Sequence, residues 1–317
     1  QSFQLRQPQD KVSLIAGQTL NLTCTVSGSG PIGPIKWLKG LGSGNKIIYE
    51  DKGTFSRVMR IQDESNTDFS IRIESVRPED TGTYYCVKFS KSVDGLEVFQ
   101  RGSGTEVSVL AQPSFPVVSG PDKRTKPGEA VRFSCATEGF FPANISVKWL
   151  KDKDPLSAHV LVVTQSQSSY NMFSNVSVTL QAGDVRTNLT CEVKHLTLSK
   201  PLKATYPLRN ALRVPPSVYV VPGLHSSIEV NKTMNFSCHV EGFYPSNVTI
   251  TWLENGVEIK AANISQLVET SQGLFKQWSL VEVQATQEKN GSVFCCQVVH
   301  DGQELINTTA TLRITVP

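Results

Sequence analysis

The chain has 317 residues, which at ~100–200 residues per domain fits two or three folded units rather than one core. Apolar residues make up 39%, charged residues 19%, and the net charge is +3, a balance that excludes a disordered polyelectrolyte and offers nucleic acid no basic field. There is no apolar run of about 18 residues to span a bilayer, and no secretory leader follows Gln1, so the chain reads as a mature or trimmed fragment with a membrane anchor expected beyond Pro317.

Three units repeat along the chain. Cys24 and Cys86 lie 62 residues apart, Cys135 and Cys191 lie 56 apart, and Cys238 and Cys296 lie 58 apart. A tryptophan follows each first cysteine after 13 or 14 residues: Trp37, Trp149 and Trp252. Three Cys…Trp…Cys sets in register are the sequence sign of tandem immunoglobulin sandwiches, where the tryptophan packs on a disulfide joining two sheets. Cys24–Cys86, Cys135–Cys191 and Cys238–Cys296 are therefore expected as intradomain disulfides. Pro- and Gly-rich stretches near residues 112 and 214 divide the chain into domains at 1–111, 112–213 and 214–317.

The first unit carries its turns at Gly28–Pro34, Glu50–Thr54, Gln62–Thr67 and Ser90–Val98. Tyr84, two residues before Cys86, fits a tyrosine corner, and Arg57 and Asp80 fit an ion pair bracing the far end. Gly102-Ser103-Gly104-Thr105 suggests a bulge before a last strand, as in variable-type domains. The second unit alternates over Ile145–Trp149 and the third over Val248–Trp252, each with one apolar face. Both show Gly-Phe-aromatic-Pro after the first cysteine, at 139–142 and 242–245, and Cys-x-Val-x-His after the second, ending at His195 and His300. Trp278, alternating with Leu280 and Glu282, reads as core of the third unit. The fold class is all-β: three tandem immunoglobulin-like β-sandwiches, one variable-type followed by two constant-type.

That order, with Gly33-Pro34-Ile35-Lys36-Trp37, Asp68–Ile73, Tyr84–Phe89, Gly104–Val109 and the linker Arg213-Val214-Pro215-Pro216, resembles the extracellular region of the signal-regulatory proteins along the whole chain. The resemblance implies an immune-cell surface receptor, extracellular and anchored in the cell membrane, that binds the integrin-associated protein through the loops of its first domain. The residues so implied are Pro31, Ile32, Gly33, Pro34, Lys52, Gly53, Lys91, Ser92, Val93, Asp94, Gly95 and Leu96. Ile32, Val93 and Leu96 would form a small apolar contact rimmed by charge, unless Ile32 and Val93 pack inward to shape their own loops. Gly28-Ser29-Gly30 stands where the inhibitory member of the family has an apolar pair, and the stretch from Tyr49 to Asp68 is shorter. An activating or orphan paralogue with another ligand, and a secreted or adhesive immunoglobulin protein acting by self-association, are the rival readings.

Asn-x-Ser/Thr occurs at Asn21, Asn144, Asn175, Asn188, Asn231, Asn235, Asn247, Asn263, Asn290 and Asn307. Asn21, Asn188 and Asn235 each precede a cysteine by three, so alternation turns them outward while Leu22, Leu189 and Phe236 turn in. Only Asn21 of the ten falls in the first unit, which leaves that unit the bare, working end. Cys295 is the odd thiol; the register that turns Phe294 and Cys296 inward turns it out. It then either links two chains into a disulfide-bonded homodimer, as the resemblance favours, or stays a shielded thiol without a role. No catalytic constellation, cofactor site or metal-ligand spacing emerges: His195 and His300 belong to the repeated Cys-x-Val-x-His pattern, which has a structural reading, His159, His225 and His239 have no acidic or cysteine neighbours at ligand spacing, and neither a Gly-x-Ser-x-Gly elbow nor a phosphate-cradling glycine loop occurs. The sequence therefore points to a binding protein rather than an enzyme.

Overall fold

The three anchoring tryptophans are sealed between paired sheets, and the strands around them define the architecture. The computed structural model describes residues 1–157, 159–223 and 225–316, as strands joined by turns and five short 3-10 segments. In the first sandwich, one sheet runs in the order Lys11–Ile15, Thr105–Leu110, Gly82–Ser92, Ile35–Lys39, Lys46–Tyr49, with Gly95–Arg101 folded back on Gly82–Ser92. Leu20–Leu22, Ile71–Ile73 and Val58–Arg60 make the facing sheet. Leu20, Leu22, Ile71, Ile73, Tyr84, Val107 and Val109 fill the space around Trp37.

The second sandwich sets Val117–Ser119, Ala130–Phe140, Ser169–Thr179 and His159–Ser166 against Asp154–Leu156, Ser146–Lys151, Asn188–Lys194 and Leu202–Pro207. The third sets Ser217–Val221, Thr233–Phe243, Phe275–Gln284 and Asn263–Ile264 against His225–Glu229, Ile306–Thr315, Val293–His300, Val248–Glu254 and Val257–Ile259. Each core is crossed by its expected disulfide, Cys24–Cys86, Cys135–Cys191 and Cys238–Cys296. Closing a loop of about 60 residues contributes roughly 4 kcal/mol on the chain-entropy estimate. His195 and His300 are structural: each ring nitrogen Nε2 contacts a proline carbonyl, of Pro142 at 2.8 Å and Pro245 at 2.7 Å, and each ring packs edge-on to Phe140 or Phe243.

Consecutive sandwiches are joined in the same way. Ala111 and Phe141 exchange backbone hydrogen bonds of 3.0 Å, and Val214 and Tyr244 repeat the exchange at 2.8 and 3.0 Å.

One reading of the sequence is corrected here. Trp278 is not core: Trp252 Nε1 donates to Ser279 Oγ at 3.1 Å, which turns Ser279, Val281 and Val283 inward and leaves Trp278 and Leu280 on the outer face. The expected bulge is present at Gly102–Gly104, where three residues stand opposite only Tyr85 and Cys86 between the Arg101–Val87 and Thr105–Tyr84 pairs. Gly102 N donates to Cys86 O at 2.8 Å, and the segment is clamped by the buried side chain of Gln7. That side chain donates to Tyr84 O (2.7 Å) and Thr105 Oγ1 (3.0 Å) and accepts from Gly104 N (3.2 Å). A Cβ on Gly102 would lie 2.2 Å from Gln7 Oε1, so glycine is required for the clamp to close.

At the far end of the first sandwich, Arg57 donates twice to Asp80, both at 2.9 Å, and Tyr84 Oη donates to Asp80 O at 2.6 Å. Burial alone would push the Asp80 carboxyl up, but the Arg57 guanidinium, the Arg77 N–H and Lys39 together hold it below its ordinary value. A carboxylate with a lowered folded-state pKa stabilises fully above its unfolded value and loses that contribution as pH falls through the folded one. Thermal unfolding of Asp80→Asn should therefore be less stable than the parent at pH 7 and show a flatter acid limb below about pH 4. Equal acid slopes for the two proteins would remove the ion pair from the stability of this domain.

Candidate functional site

At the opposite end of the first sandwich the loops are fastened by backbone bonds. Lys91 N donates to Ile32 O at 2.8 Å, Phe89 N to Pro34 O at 2.9 Å, and Lys88 Nζ to Gly33 O at 2.5 Å. Three successive carbonyls thus face the strand Gly82–Ser92, and the Ile32 side chain is left in solvent, 81% exposed. A Cβ on Gly33 would sit 2.1 Å from Phe89 O, so only glycine permits this approach. Gly28-Ser29-Gly30 is not an empty notch. The N-terminal segment crosses it, with Ser29 N donating to Gln1 O at 3.3 Å, and the Phe3 ring occupies the space a Gly30 side chain would take. Phe3 meets Phe99 edge-on at 5.7 Å, and Lys88 Nζ lies 6.0 Å from its ring.

The stretch Ser90–Val98, read from sequence as a loop, is mostly a β-hairpin. Ser92 pairs with Gly95, Lys91 with Leu96, Ser90 with Glu97 and Phe89 with Val98, leaving Val93 and Asp94 as the turn. Val93 and Asp94 have negative φ and Gly95 takes φ +116°, so the tip is built as an ordinary turn closed by a positive-φ glycine rather than as a primed two-residue turn. Phe89, Lys91, Leu96 and Val98 therefore share one face, and Val93 projects fully into solvent at the tip. With Ile32 and Val93 both outward, the inward-packing alternative falls away. A register shift between Val98 and Gln100 frees Phe99 to turn toward Phe3.

Arg60 ties the two remaining turns together. Its Nη2 donates to Ser65 O and Asp68 O, both at 2.5 Å, its guanidinium lies 4.4 Å from the Phe69 ring, and Nη1 is 4.0 Å from Asp51 Oδ1. Between these turns and the first loop runs a polar groove lined by Pro31, Gly33, Asp51, Asp63, Glu64 and Lys88. The structure thus brings Pro31–Pro34 against the base of the Lys91–Leu96 hairpin tip, whereas Lys52 and Gly53 are exposed on their turn and outside the groove lining. Phe3, Arg60, Val98 and Phe99 were missed from sequence. Val98 had a signal, its alternation with Leu96; Phe3 had none, because its contacts lie far along the chain.

Nine of the ten sequon asparagines are exposed and Asn175 is half-buried. Cys295 faces outward with its Sγ 3.7 Å from Asn307 Oδ1; burial pushes its thiol pKa up, and a backbone bond at Thr308 offsets part of that rise. Among the described residues no group of three His, Cys, Asp or Glu side chains is placed to hold a metal, and no helix is long and apolar enough to cross a membrane.

Residues 7–110 match the immunoglobulin V-set domain, and residues 117–198 and 218–303 match the immunoglobulin C1-set domain. The chain is 41% identical over 323 residues to tyrosine-protein phosphatase non-receptor type substrate 1 of Bos taurus, covering 99% of this chain and 63% of that protein. It is 39% identical over 320 residues to signal-regulatory protein beta-1 of Homo sapiens, covering 98% of this chain and 79% of that protein. The full ectodomain of mouse nectin-like molecule 4 has the same fold, with a TM-score of 0.59, 15% identity and 98% coverage of both chains.

Removing the Arg60 guanidinium should loosen both turns at once. Arg60→Met loses two charge-assisted hydrogen bonds together with the guanidinium contact on Phe69, a cost of about 3 kcal/mol. Urea unfolding of the first domain should register that loss, with faster hydrogen exchange over residues 62–68. Unchanged exchange there would mean the turns hold themselves.

Proposed function

This chain belongs to the signal-regulatory protein family, and from that premise we propose that its first domain binds a protein on an apposing cell through the 31–34 loop and the 91–96 hairpin tip. The observation that carries the reading is the pairing of exposure with rigidity. Ile32, Val93 and Leu96 are large, apolar and solvent-exposed, yet the backbone beneath Ile32 and Leu96 is hydrogen-bonded to the strand that holds Cys86. Apolar side chains presented on an ordered backbone bind without a large ordering cost, which is how a modest contact gains affinity. Lys91 and Asp94 supply the charged rim.

The ligand proposed by resemblance is the integrin-associated protein, received as a single immunoglobulin domain. Two glycosylated constant-type domains would hold the binding end away from the membrane. The chain spans 63% of the length of its bovine relative, so the membrane anchor and the sign of the signal belong to the proposal. The main rival, a paralogue with another ligand, is favoured by one observation: Phe3 and Gly30 fill the first loop differently from the apolar pair of the inhibitory member. The interchain link at Cys295 is proposed with a condition. A sugar on Asn307 would occupy the space over the thiol, so linked dimers should form from chains lacking that sugar. Non-reducing gels should show more dimer for Asn307→Gln and none once Cys295→Ser is added; dimer that persists without Cys295 would rule out the link.

Surface plasmon resonance against the immunoglobulin domain of the integrin-associated protein tests the site. Ile32→Ala, Lys91→Ala and Leu96→Ala should each weaken binding about 5- to 30-fold, the effect of losing ~1–2 kcal/mol at an interface. Glu129→Ala and Lys260→Ala, in the later domains, should leave it unchanged. No binding by the parent chain at roughly micromolar concentration would hand the reading to the paralogue with a different ligand. Binding retained by the second and third domains alone would displace the site.

A further inference from the structure

The two constant-type sandwiches carry a matching feature on the outer face of the sheet that contains their first cysteine. In the second domain Val117, Ala136, Phe173 and Val162 are successive cross-strand partners over four strands. All four face outward, because the neighbours Val118, Cys135 and Ser174 face the core. Val117, Phe173 and Val162 are 63%, 46% and 45% exposed. In the third domain the equivalent row is Tyr219, His239 and Trp278, with Tyr219 stacked on His239 at 5.0 Å. The equivalence is fixed by register: Val118 pairs with Cys135 as Val220 pairs with Cys238, and Ser174 and Ser279 each accept the indole N–H of a core tryptophan.

The next rung of both ladders holds a sequon. In the second domain Asn175 is directly opposite Val160; in the third Leu280 is directly opposite Asn263. The same cross-strand pair therefore joins one sequon asparagine to one aliphatic residue in both domains, with the strands exchanged. Asn175 follows Phe173 by two on the same face, about 7 Å along the strand, and the edge strand His159–Ser166 leaves Val160 54% exposed. Bare apolar and aromatic rows reaching an edge strand invite pairing with other chains, and neither row contains Lys, Arg, Asp or Glu.

We propose that N-linked glycans on Asn175 and Asn263 lie across these two rows and keep the sheet faces from associating. The C–H faces of the sugar rings would pack on Phe173 and Trp278, and the branched chain would hold a second protein sheet beyond the ~10 Å spacing of packed sheets. An interface between two chains would need the rung beside the row to be bare. Here that rung carries a sequon in both domains, on one strand in the second and on the facing strand in the third.

The test uses the full chain secreted from mammalian cells and does not depend on any ligand. Glycopeptide mass spectrometry should find Asn175 and Asn263 occupied. Ser177→Ala combined with Asn263→Gln should shift the chain from monomer toward dimer in sedimentation velocity and raise binding of an apolar dye. Ser177→Thr, which keeps the sequon, should do neither, and adding Phe173→Ser to the sequon-free chain should cancel part of the rise. Trimming the sugars of the folded Cys295→Ser chain with an endoglycosidase gives the same comparison with both sequons intact and no interchain thiol, and dye binding should again increase. Unoccupied asparagines would overturn the proposal. So would a sequon-free or trimmed chain that stays monomeric with unchanged dye binding, or a fully glycosylated parent that already pairs through Phe173.

Discussion

A buried indole N–H must find an acceptor, and it comes from a strand of the facing sheet in the two constant-type domains and from the segment leading into Ile71–Ile73 in the first. Trp149 donates to Ser174 Oγ at 2.9 Å, Trp252 to Ser279 Oγ at 3.1 Å, and Trp37 to the Phe69 carbonyl at 2.8 Å. Leaving such a donor unpaired in an apolar core costs about 1–3 kcal/mol. A strand alternates, so a serine turned inward turns both its neighbours outward. One hydrogen bond thereby decides that Phe173 and Trp278 stand on the outer face rather than in the core. The disulfide holds the sheets together; the indole selects the register in which they meet.

The same framework explains how the first domain can display apolar side chains on an ordered backbone. Strand Gly82–Ser92 places Tyr84 and Cys86 in the core, then continues past the sandwich to receive the carbonyls of residues 32–34 and to form the hairpin. The tip inherits its order from the core through continuous backbone pairing. Ile32 and Val93 have no part in filling the core and are free to vary without cost to it. Stability and recognition thus share a strand but divide its residues.

Features set by local spacing were legible in the sequence. The disulfides, the three core tryptophans, the Tyr84 corner, the Arg57–Asp80 pair and the outward phase of Asn21, Asn188 and Asn235 all follow from fixed offsets to a cysteine. Trp278 was misjudged because Gln277–Gln284 is apolar on both faces, and the inward residue that fixes the register is a serine. The hairpin was hidden by the habit of reading a variable-domain turn as irregular, although Lys88–Ser92 and Leu96–Val98 alternate and Asp94-Gly95 marks a tight turn. Gln7, Phe3 and Arg60 were illegible for another reason. Gln7 bonds Tyr84 across 77 residues, Phe3 meets Phe99 far along the chain, and Arg60 acts on carbonyls whose positions no side chain announces.

The placement of sequons against apolar surface separates the first domain from the other two. Its three-stranded sheet bears the outward row Asn21, Arg72 and Met59, where Arg72 contacts the Met59 sulfur at 2.8 Å and Glu74 at 3.5 Å, so the face that holds the sequon is polar. Of its exposed aliphatic side chains, Ile47, Leu96 and Val98 lie on strands of the opposite sheet, where no strand contains a sequon, while Ile61 flanks the three-stranded sheet. In the constant-type domains the exposed aromatic rows and the sequons share a face. An apolar face next to a sequon can be covered by the chain's own sugar, whereas an apolar face without one stays open to a partner. The hairpin strand of the first domain thus carries Leu96 and Val98 on a sheet without a sequon, at the same end of the molecule as the 31–34 loop.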